Sequence, residues 1–426
     1  MHLVYTHGTH IGYARYGTEL AAAIRRAGVT FRETLGPGDI PEHAAVWVNT
    51  PNHVKGWFDG QHKVLCTMWE TDRLPEEFRQ GFGNFDRIIV PSEHNRELFG
   101  RYHPDVVKVP LGVNGDIWRY RERLPPDRRF VFLCAGNGPR KGIDVAVAAF
   151  KKVFGTGGHQ PLPILMVKSP RPLEGAIGER IQNVTGWLSD AEEVDLYAQA
   201  HCFLGLSRGE GFGMMPLQAI AQGCPTILTR AHGHLEFSAL GLPVQARKTR
   251  ADPSLYGDNG DWWEPDLDSV CHAMEGAYID YPRVAGEAAF NAGLAHDLFS
   301  WERCAVATLD AVGKEHLEAA YTGRGEWCEP RFVRYPVRVS QFWTCQVGGV
   351  DYQFSPGVTY WESGEIKRIL YEGNLLDPGC VDPDGDTGLT EEQLARFGDY
   401  SAAQSYCHHC GQKLGTGVRY QPEAAR

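Results

Sequence analysis

Short apolar runs without strict alternation recur through the first 121 residues: LVY near the start, then AAVWVNT, KVLCTMW, DRIIVPS and VVKVPLG. Such runs are expected of strands covered on both faces, as in parallel sheets. Between them, GYARYGTELAAAIRRAGV sets Tyr13, Tyr16, Leu20 and Ile24 on one helical stripe. Ser92 stands where an N-cap belongs before EHNRELF. From about residue 126 the rhythm restarts with RFVFLCAG, PILMVKS, IQNVTG, HCFLGLS and PTILT as strands. Ser189 and Glu192 have the spacing of a capping box opening DAEEVDLYAQA. Two successive alternations of strand and helix predict an α/β chain with two Rossmann-like, doubly wound domains, residues 1–121 and 122–297. The polar, proline-bearing WRYRERLPPDRR is the expected hinge. Ser300–Ala320 reads as one more helix. Residues 323–426 form a β-rich extension, with short strands in PVRVSQFWTCQV and VDYQFSPGVTYW around a Gly-Gly turn. A short helix is expected to open at Thr390.

Composition narrows the function classes. A length of 426 residues accommodates two or three cores, and 42% hydrophobic with 22% charged residues is an ordinary globular balance. A net charge of −11 argues against a general nucleic-acid binder, which needs a basic face. Residues 1–121 hold 14 Lys+Arg and 14 Asp+Glu, so nothing supports strong attachment to an anionic surface. The first strand begins almost at once, with no signal peptide expected and no apolar run long enough to span a membrane. Cys66, Cys134 and Cys202 lie in apolar runs, where cysteine packs as a small hydrophobe. A reduced, cytoplasmic protein is the expectation.

The stretch SRGEGFGMMPLQAIAQGCPTIL leaves a strand through a carboxylate and three glycines and enters a helix directly. A helix N-terminus offers unpaired N–H groups, and glycine lets a ligand approach them. Glu210 would repel a bare phosphate but suits a sugar, whose hydroxyls both donate and accept. Gln218 follows one turn into the helix, so Glu210 and Gln218 flank one elongated ligand. Taken alone, the stretch is equally a turn and helix cap with a solvated Glu210.

Its surroundings sharpen the reading. EGFGMMPLQAIAQGCPTI resembles the E-x7-E segment of the family-4 (group 1) retaining glycosyltransferases, which have the GT-B fold of two facing Rossmann-like domains. GNGPRKGIDVAVAAF resembles that family's basic phosphate-binding segment. MWETDRLPEEF, FDRIIVPSEHNRELF and VPLGVNGDIW resemble the latter half of its acceptor domain, and HGTHIGYARYGTELAAAIRRAG its first glycine-bearing loop and helix. FSWERCA resembles the start of the helix that crosses back to the first domain, here residues 298–322. The likeness covers roughly residues 1–320 and implies retaining transfer from a nucleotide-diphosphate sugar. Carried over, Arg140 and Lys141 face the diphosphate, so that no metal or other cofactor is needed for catalysis. Glu210 contacts the sugar, with the amides of Gly211, Phe212, Gly213 and Met214 around it. The region of Val184 holds the base, position 218 the ribose, and Gly12 and Tyr13 close over the diphosphate.

The chain departs from that pattern in several places. Gln218 stands where the family usually has a second glutamate, and a neutral partner bonds a ribose more weakly. Asn137 stands where an arginine often follows the glycine, with Arg140 its substitute. Many members place a histidine after the fourth strand; Glu70 is nearest to that position here, with His53 the alternative, and Glu70 is equally a helix cap. In the tail, Cys407 and Cys410 have the spacing of half a structural zinc site, with Cys328, Cys345 and Cys380 as single candidates to complete it. DPDGDTG lacks the glycine and bidentate acid of a calcium loop. The acceptor class stays open among a glycan, a lipid-linked saccharide, a protein and a modified nucleobase, though a tail with 10 Lys+Arg against 14 Asp+Glu disfavours DNA. Two other functions remain: a nucleotide-sugar epimerase of the GT-B fold, and a non-catalytic sugar-nucleotide or glycan-binding protein.

Overall fold

The computed structural model describes residues 1–5, 12–29, 31–35, 44–53, 62–172, 180–258, 260–313 and 316, and four short strands between 334 and 363. The first sheet contains β1 (His2–Tyr5), β2 (Arg32–Leu35), β3 (Ala44–Val48), β4 (His62–Cys66), β5 (Arg87–Val90) and β6 (Val106–Lys108). All are parallel, in the order β2-β1-β3-β4-β5-β6. The helices α1 (Gly12–Arg26), α2 (Glu76–Gly81) and α3 (Glu93–Phe99) connect them. Strand β2 was not foreseen: it is a sheet edge whose RETL sequence lacks the apolar signature of a covered strand.

The second sheet contains β7 (Arg129–Ala135), β8 (Leu162–Ser169), β9 (Ile181–Thr185), β10 (Cys202–Gly205), β11 (Thr226–Thr229) and β12 (Leu242–Val244). Its parallel order, β12-β11-β10-β7-β8-β9, is that of a Rossmann sheet, reversing between β7 and β10. The helices α4 (Ile143–Phe154), α5 (Asp190–Gln199) and α6 (Met214–Ala221) cross between strands. Burial on both faces explains the missing alternation. Phe130, Phe132 and Cys134 of β7 join the core with Phe150 and Phe154 of α4, while Leu133 and Ala135 join the core on the other side. The expected caps are present: Ser92 accepts from the Asn95 N–H, and Ser189 with Glu192 forms a complete capping box. Cys66, Cys134 and Cys202 are buried free thiols.

After β12 the chain makes an excursion that the apolar pattern did not announce. Strand β13 (Ala246–Arg250), the short α7 (Pro253–Tyr256) and β14 (Asp261–Pro265) form an antiparallel arm with Lys248 opposite Trp263. The arm reaches the first domain. Asp72 N–H donates to the Asp261 carbonyl at 3.0 Å, Asp261 N–H donates to Asp72 Oδ1 at 2.7 Å, and Lys248 pairs with Asp72 at 3.0 Å.

Helices α8 (Leu267–Ile279) and α9 (Tyr281–Leu298) follow, then α10 (Trp301–Val312) returns to α1. Trp301 lies 5.9 Å from Tyr16, and Glu302 pairs with Arg26 at 2.8 Å. The described helix stops at Gly313, φ 94°; the rest of the stretch read to Ala320, His316 excepted, lies outside the described residues. In the tail, β15 (Arg334–Val337) pairs with β18 (Tyr360–Ser363), and β16 (Trp343–Val347) pairs with β17 (Val350–Phe354), Val347 opposite Val350. Thr390, Cys407 and Cys410 lie outside the described residues. No described helix is long and apolar enough to cross a membrane.

Candidate active site

The carboxyl ends of β7 and β10 meet where the second sheet reverses, the place at which open α/β sheets bind ligands. Strand β7 exits through Gly136 and Gly138 into a tight turn, Pro139–Lys141, closed by Gly142 at φ 65°. A side chain at Gly142 would strike the Leu206 carbonyl, so this glycine lets the basic turn seat against the β10 exit. The seat is fixed by Arg208 N–H donating to the Arg140 carbonyl at 2.7 Å. Arg208 is held in turn, its guanidinium forked between Asp144 at 2.7 Å and Glu264 at 2.8 Å.

Glu210 sits at the centre. Arg140 pairs with it at 2.9 Å and Lys141 at 2.5 Å, and Ser207 Oγ donates to it at 2.8 Å. Arg140 also donates to the Gly209 carbonyl at 2.7 Å. Burial pushes the Glu210 carboxyl up, but the Arg140 and Lys141 charges outweigh that and hold it well below the usual carboxylate range. Lys141 is pulled down by its own burial and by Arg140, although Glu210 opposes both. The resemblance gives the cations to a diphosphate and the carboxylate to a sugar; in this structure both cations pair with the carboxylate.

The first domain covers this centre with Met68, Trp69 and Glu70, which follow β4. Backbone clamps hold that segment. The Tyr13 hydroxyl donates to the Met68 carbonyl and accepts from Met68 N–H, both at 2.9 Å. The Asn95 amide donates to the Trp69 carbonyl and accepts from Trp69 N–H, both at 2.8 Å. The closeness demands glycine opposite: a Cβ on Gly209 would strike the Glu70 carbonyl, and one on Gly211 would lie 2.6 Å from Met68 Cβ. Ser92 Oγ donates to the Gly211 carbonyl at 2.7 Å across the same boundary. Burial raises the Glu70 carboxyl, with Arg140 opposing and the Glu210 charge reinforcing the rise.

Four of the residues singled out from the sequence thus converge: Arg140, Lys141, Glu210 and Glu70. Gly211, Phe212 and Gly213 lead into α6, with the Phe212 ring buried against Phe237 and Phe299 at 5.4 and 6.1 Å. Met214 opens α6 and is half-buried; Gln218 is buried one turn on. Asn137 is exposed, and Val184 is half-buried at the end of β9, beside Lys168 of β8. Gly12 is exposed at the start of α1, and Tyr13 directs its hydroxyl to the β4 exit. The side chain of His53 lies outside the described residues.

Two groups near the centre carried no sequence signal. Tyr256, on the arm, lies 5.5 Å from the Trp69 ring, and its hydroxyl is raised by burial and by the Glu70 and Glu210 charges. His232 and His234, in the turn His232–Glu236 after β11, are buried 4.6 Å apart. The sequence shows this pair only as two histidines two positions apart after PTILT, a spacing too common to stand alone. Among the described residues, no three His, Cys, Asp or Glu side chains are arranged to hold a metal.

Comparisons with known proteins agree with this architecture. Sucrose-phosphate synthase from Thermosynechococcus elongatus has the same fold, with a TM-score of 0.55 at 17% identity over 75% of this chain and 99% of that one. A GDP-mannose-dependent alpha-(1-6)-phosphatidylinositol dimannoside mannosyltransferase of Mycobacterium tuberculosis is 22% identical over 73% of this chain and 80% of its own length. A protein of Sulfolobus islandicus filamentous virus with the provisional name glycosyltransferase 41 is 44% identical over 197 residues, 45% of this chain; the chain spans only 53% of that relative's length. Residues 91–308, just over half of the chain, match the family described as Family 4 Glycosyltransferase in conflict systems, and together with the two facing Rossmann sheets this places the protein in that family.

Proposed function

We propose that the protein transfers a sugar from a nucleotide-diphosphate donor to an acceptor, with retention and without a catalytic metal. The observation that carries this reading is Glu210 held between Arg140 and Lys141 at the reversal point of the second sheet, under the Glu70 segment of the first. When the bond between the anomeric carbon and the diphosphate oxygen breaks, negative charge grows on the departing diphosphate. Two fixed cations stabilise that charge where water is excluded, which is the role a metal plays elsewhere. As the diphosphate takes Arg140 and Lys141, Glu210 is released from them to accept hydrogen bonds from sugar hydroxyls.

Retention places the acceptor oxygen on the face from which the diphosphate leaves, so the acceptor enters from the first domain. Glu70 is the carboxylate on that side. Burial raises its pKa above the ordinary carboxylate value, which favours the protonated form on that side of the cleft. A glycan or a lipid-linked saccharide is the acceptor class favoured, in keeping with the named substrate of the mycobacterial relative.

The test is release of nucleoside diphosphate from UDP-, GDP-, ADP- and dTDP-sugars, with oligosaccharide or lipid-linked acceptors, by the wild-type chain and Glu210→Ala. The reading expects one donor to turn over with EDTA present, an α-linked donor to give an α-linked product, and the variant to lose transfer. Full activity in Glu210→Ala sinks the assignment. Conversion of the donor with no acceptor present identifies an epimerase instead.

A further inference from the structure

We propose that His234 is a specificity-determining residue of the donor site, hydrogen-bonding a hydroxyl of the sugar to be transferred. The inference rests on the donor-site reading above and adds to it a contact that the E-x7-E resemblance does not supply.

The His234 ring is completely buried, and neither ring nitrogen makes a hydrogen bond of acceptable geometry. The Thr229 carbonyl is near enough to act on one ring nitrogen, but loosely, and among the described residues nothing meets the other. Buried polar groups are almost always well paired, so this imidazole requires an explanation. Its position supplies one. A Cβ on Gly213 would lie 2.5 Å from His234 Cδ2 and 2.7 Å from Nε2. The ring edge therefore lies against the residue that caps α6, and Gly213, at φ 109°, leaves it the room. Glu210 is near enough to act on the ring electrostatically, as are Lys141 and Arg140.

The neighbouring backbone is built to hold this arrangement. His232 has φ 45°, a left-handed conformation that is unfavourable for a residue with a side chain. Its Nε2 lies 3.0 Å from the Ser207 carbonyl, so that nitrogen carries the proton and donates. The His232–Glu236 turn is thereby tied to the β10 exit that presents Glu210, and Gly233 N–H donates to the Glu210 carbonyl at 3.0 Å.

The chemistry of the ring selects the ligand. Burial and the Lys141 and Arg140 charges keep the imidazole neutral, its pKa pushed down to about 4, although Glu210 and the Thr229 carbonyl pull the other way. A neutral imidazole has one donor and one acceptor. Charge for a diphosphate is already supplied by Arg140 and Lys141. What a neutral donor–acceptor beside a carboxylate recognises is a hydroxyl. The first domain touches this turn at Glu236, where Glu93 N–H donates at 2.6 Å and Lys108 pairs at 3.2 Å; separation of the domains there is the proposed route by which the sugar enters.

The test separates the sugar from the nucleotide. Dissociation constants of UDP, GDP, ADP and dTDP and of UDP-glucose, GDP-mannose, ADP-glucose and dTDP-glucose are measured by calorimetry on the full chain, its His234→Ala variant and its His234→Asn variant. For the base that binds, the expected result is an unchanged affinity for the nucleotide and an affinity for the nucleotide sugar about tenfold weaker in His234→Ala, the loss of one neutral hydrogen bond. Asparagine, which keeps a donor and an acceptor, should recover part of it. A sugar-dependent gain that survives in both variants, or an equal loss for nucleotide and nucleotide sugar, overturns the inference while leaving the donor site standing. Wild-type chain that binds none of the eight overturns the donor site itself. Wild-type protein labelled at its histidine ring nitrogens needs no variant: a neutral buried ring signal should shift with the nucleotide sugar and not with the nucleotide, and no such shift refutes the contact.

Discussion

The two sides of the cleft are built differently. At the β10 exit of the second sheet, charged side chains define the site: Arg140 and Lys141 both pair with Glu210, and Arg208, paired with Asp144, holds the basic turn. At the β4 exit of the first sheet, the backbone defines it. Tyr13 and Asn95 clamp the main chain of Met68 and Trp69, and a single carboxylate, Glu70, is brought to the centre. The two glutamates show the consequence. Both stand in one cluster, Glu210 buried and Glu70 half-buried, yet Glu210 is held well below the usual range by two adjacent cations, while Glu70 is pushed up because desolvation outweighs the attraction of the same cations. One side is a preformed cluster of paired charges; the other is a shaped backbone wall that brings one carboxylate of raised pKa to the centre.

The largest expected effects come from breaking the charged side. Glu210→Ala leaves the half-buried Arg140 and Lys141 without their carboxylate, which should destabilise the domain by about 1–3 kcal/mol and remove transfer; urea unfolding and the transfer assay measure the two losses. Lys141→Met should lower kcat by about 10²–10³-fold by removing one cation from the leaving group. A mutant that keeps kcat places the diphosphate elsewhere. Next is Gly211→Ala. Its new methyl meets Met68 Cβ at 2.6 Å, so the two faces cannot close, and transfer should fall further than the affinity for nucleotide, most of which the charged side supplies.

Acidity sharpens the comparison further. Glu210 has a depressed folded pKa, so its stabilisation is present at neutral pH and is lost as pH falls below about 4.3. The stability gap between wild type and Glu210→Gln should therefore close in acid. Glu70 has a raised folded pKa, so its contribution is present below the ordinary carboxylate range and is lost as pH rises through the folded value. Glu70→Gln should gain on wild type as pH rises toward neutrality, with transfer reduced. Parallel pH profiles for the two variants would mean the glutamates are equivalent. The smallest effect is expected for Ser92→Ala, which removes the α3 cap and the bond to the Gly211 carbonyl and should lower stability by about 1 kcal/mol.

The difference between the sides also governed what the sequence revealed. The charged side was legible because its chemistry sits in compact segments: GNGPRKG and SRGEGFG each place glycine and charge where a strand meets a helix. Strands covered on both faces announced themselves by apolar runs, and the Ser92 and Ser189 caps by local spacing. Pairing between Lys141 and Glu210, 69 positions apart, follows from the adjacency of β7 and β10, which no local pattern carries. The arm stayed hidden because ARKTRADPSLYGDNGDWWEP is polar and its strands are exposed on one side. Its latch on Asp72 and the approach of Tyr256 to the centre stayed hidden with it. Strand β2 escaped for the same reason, as a polar edge.

The most direct test of the central claim is thermal stabilisation of the purified chain by UDP, GDP, ADP and TDP, each with and without EDTA. A ligand that binds the native state raises its stability by mass action. The account predicts that one nucleotide shifts the unfolding temperature selectively, that EDTA leaves the shift intact, and that Lys141→Met abolishes it. No shift with any nucleotide, or a shift that EDTA removes, would contradict a diphosphate site built from Arg140, Lys141 and Glu210.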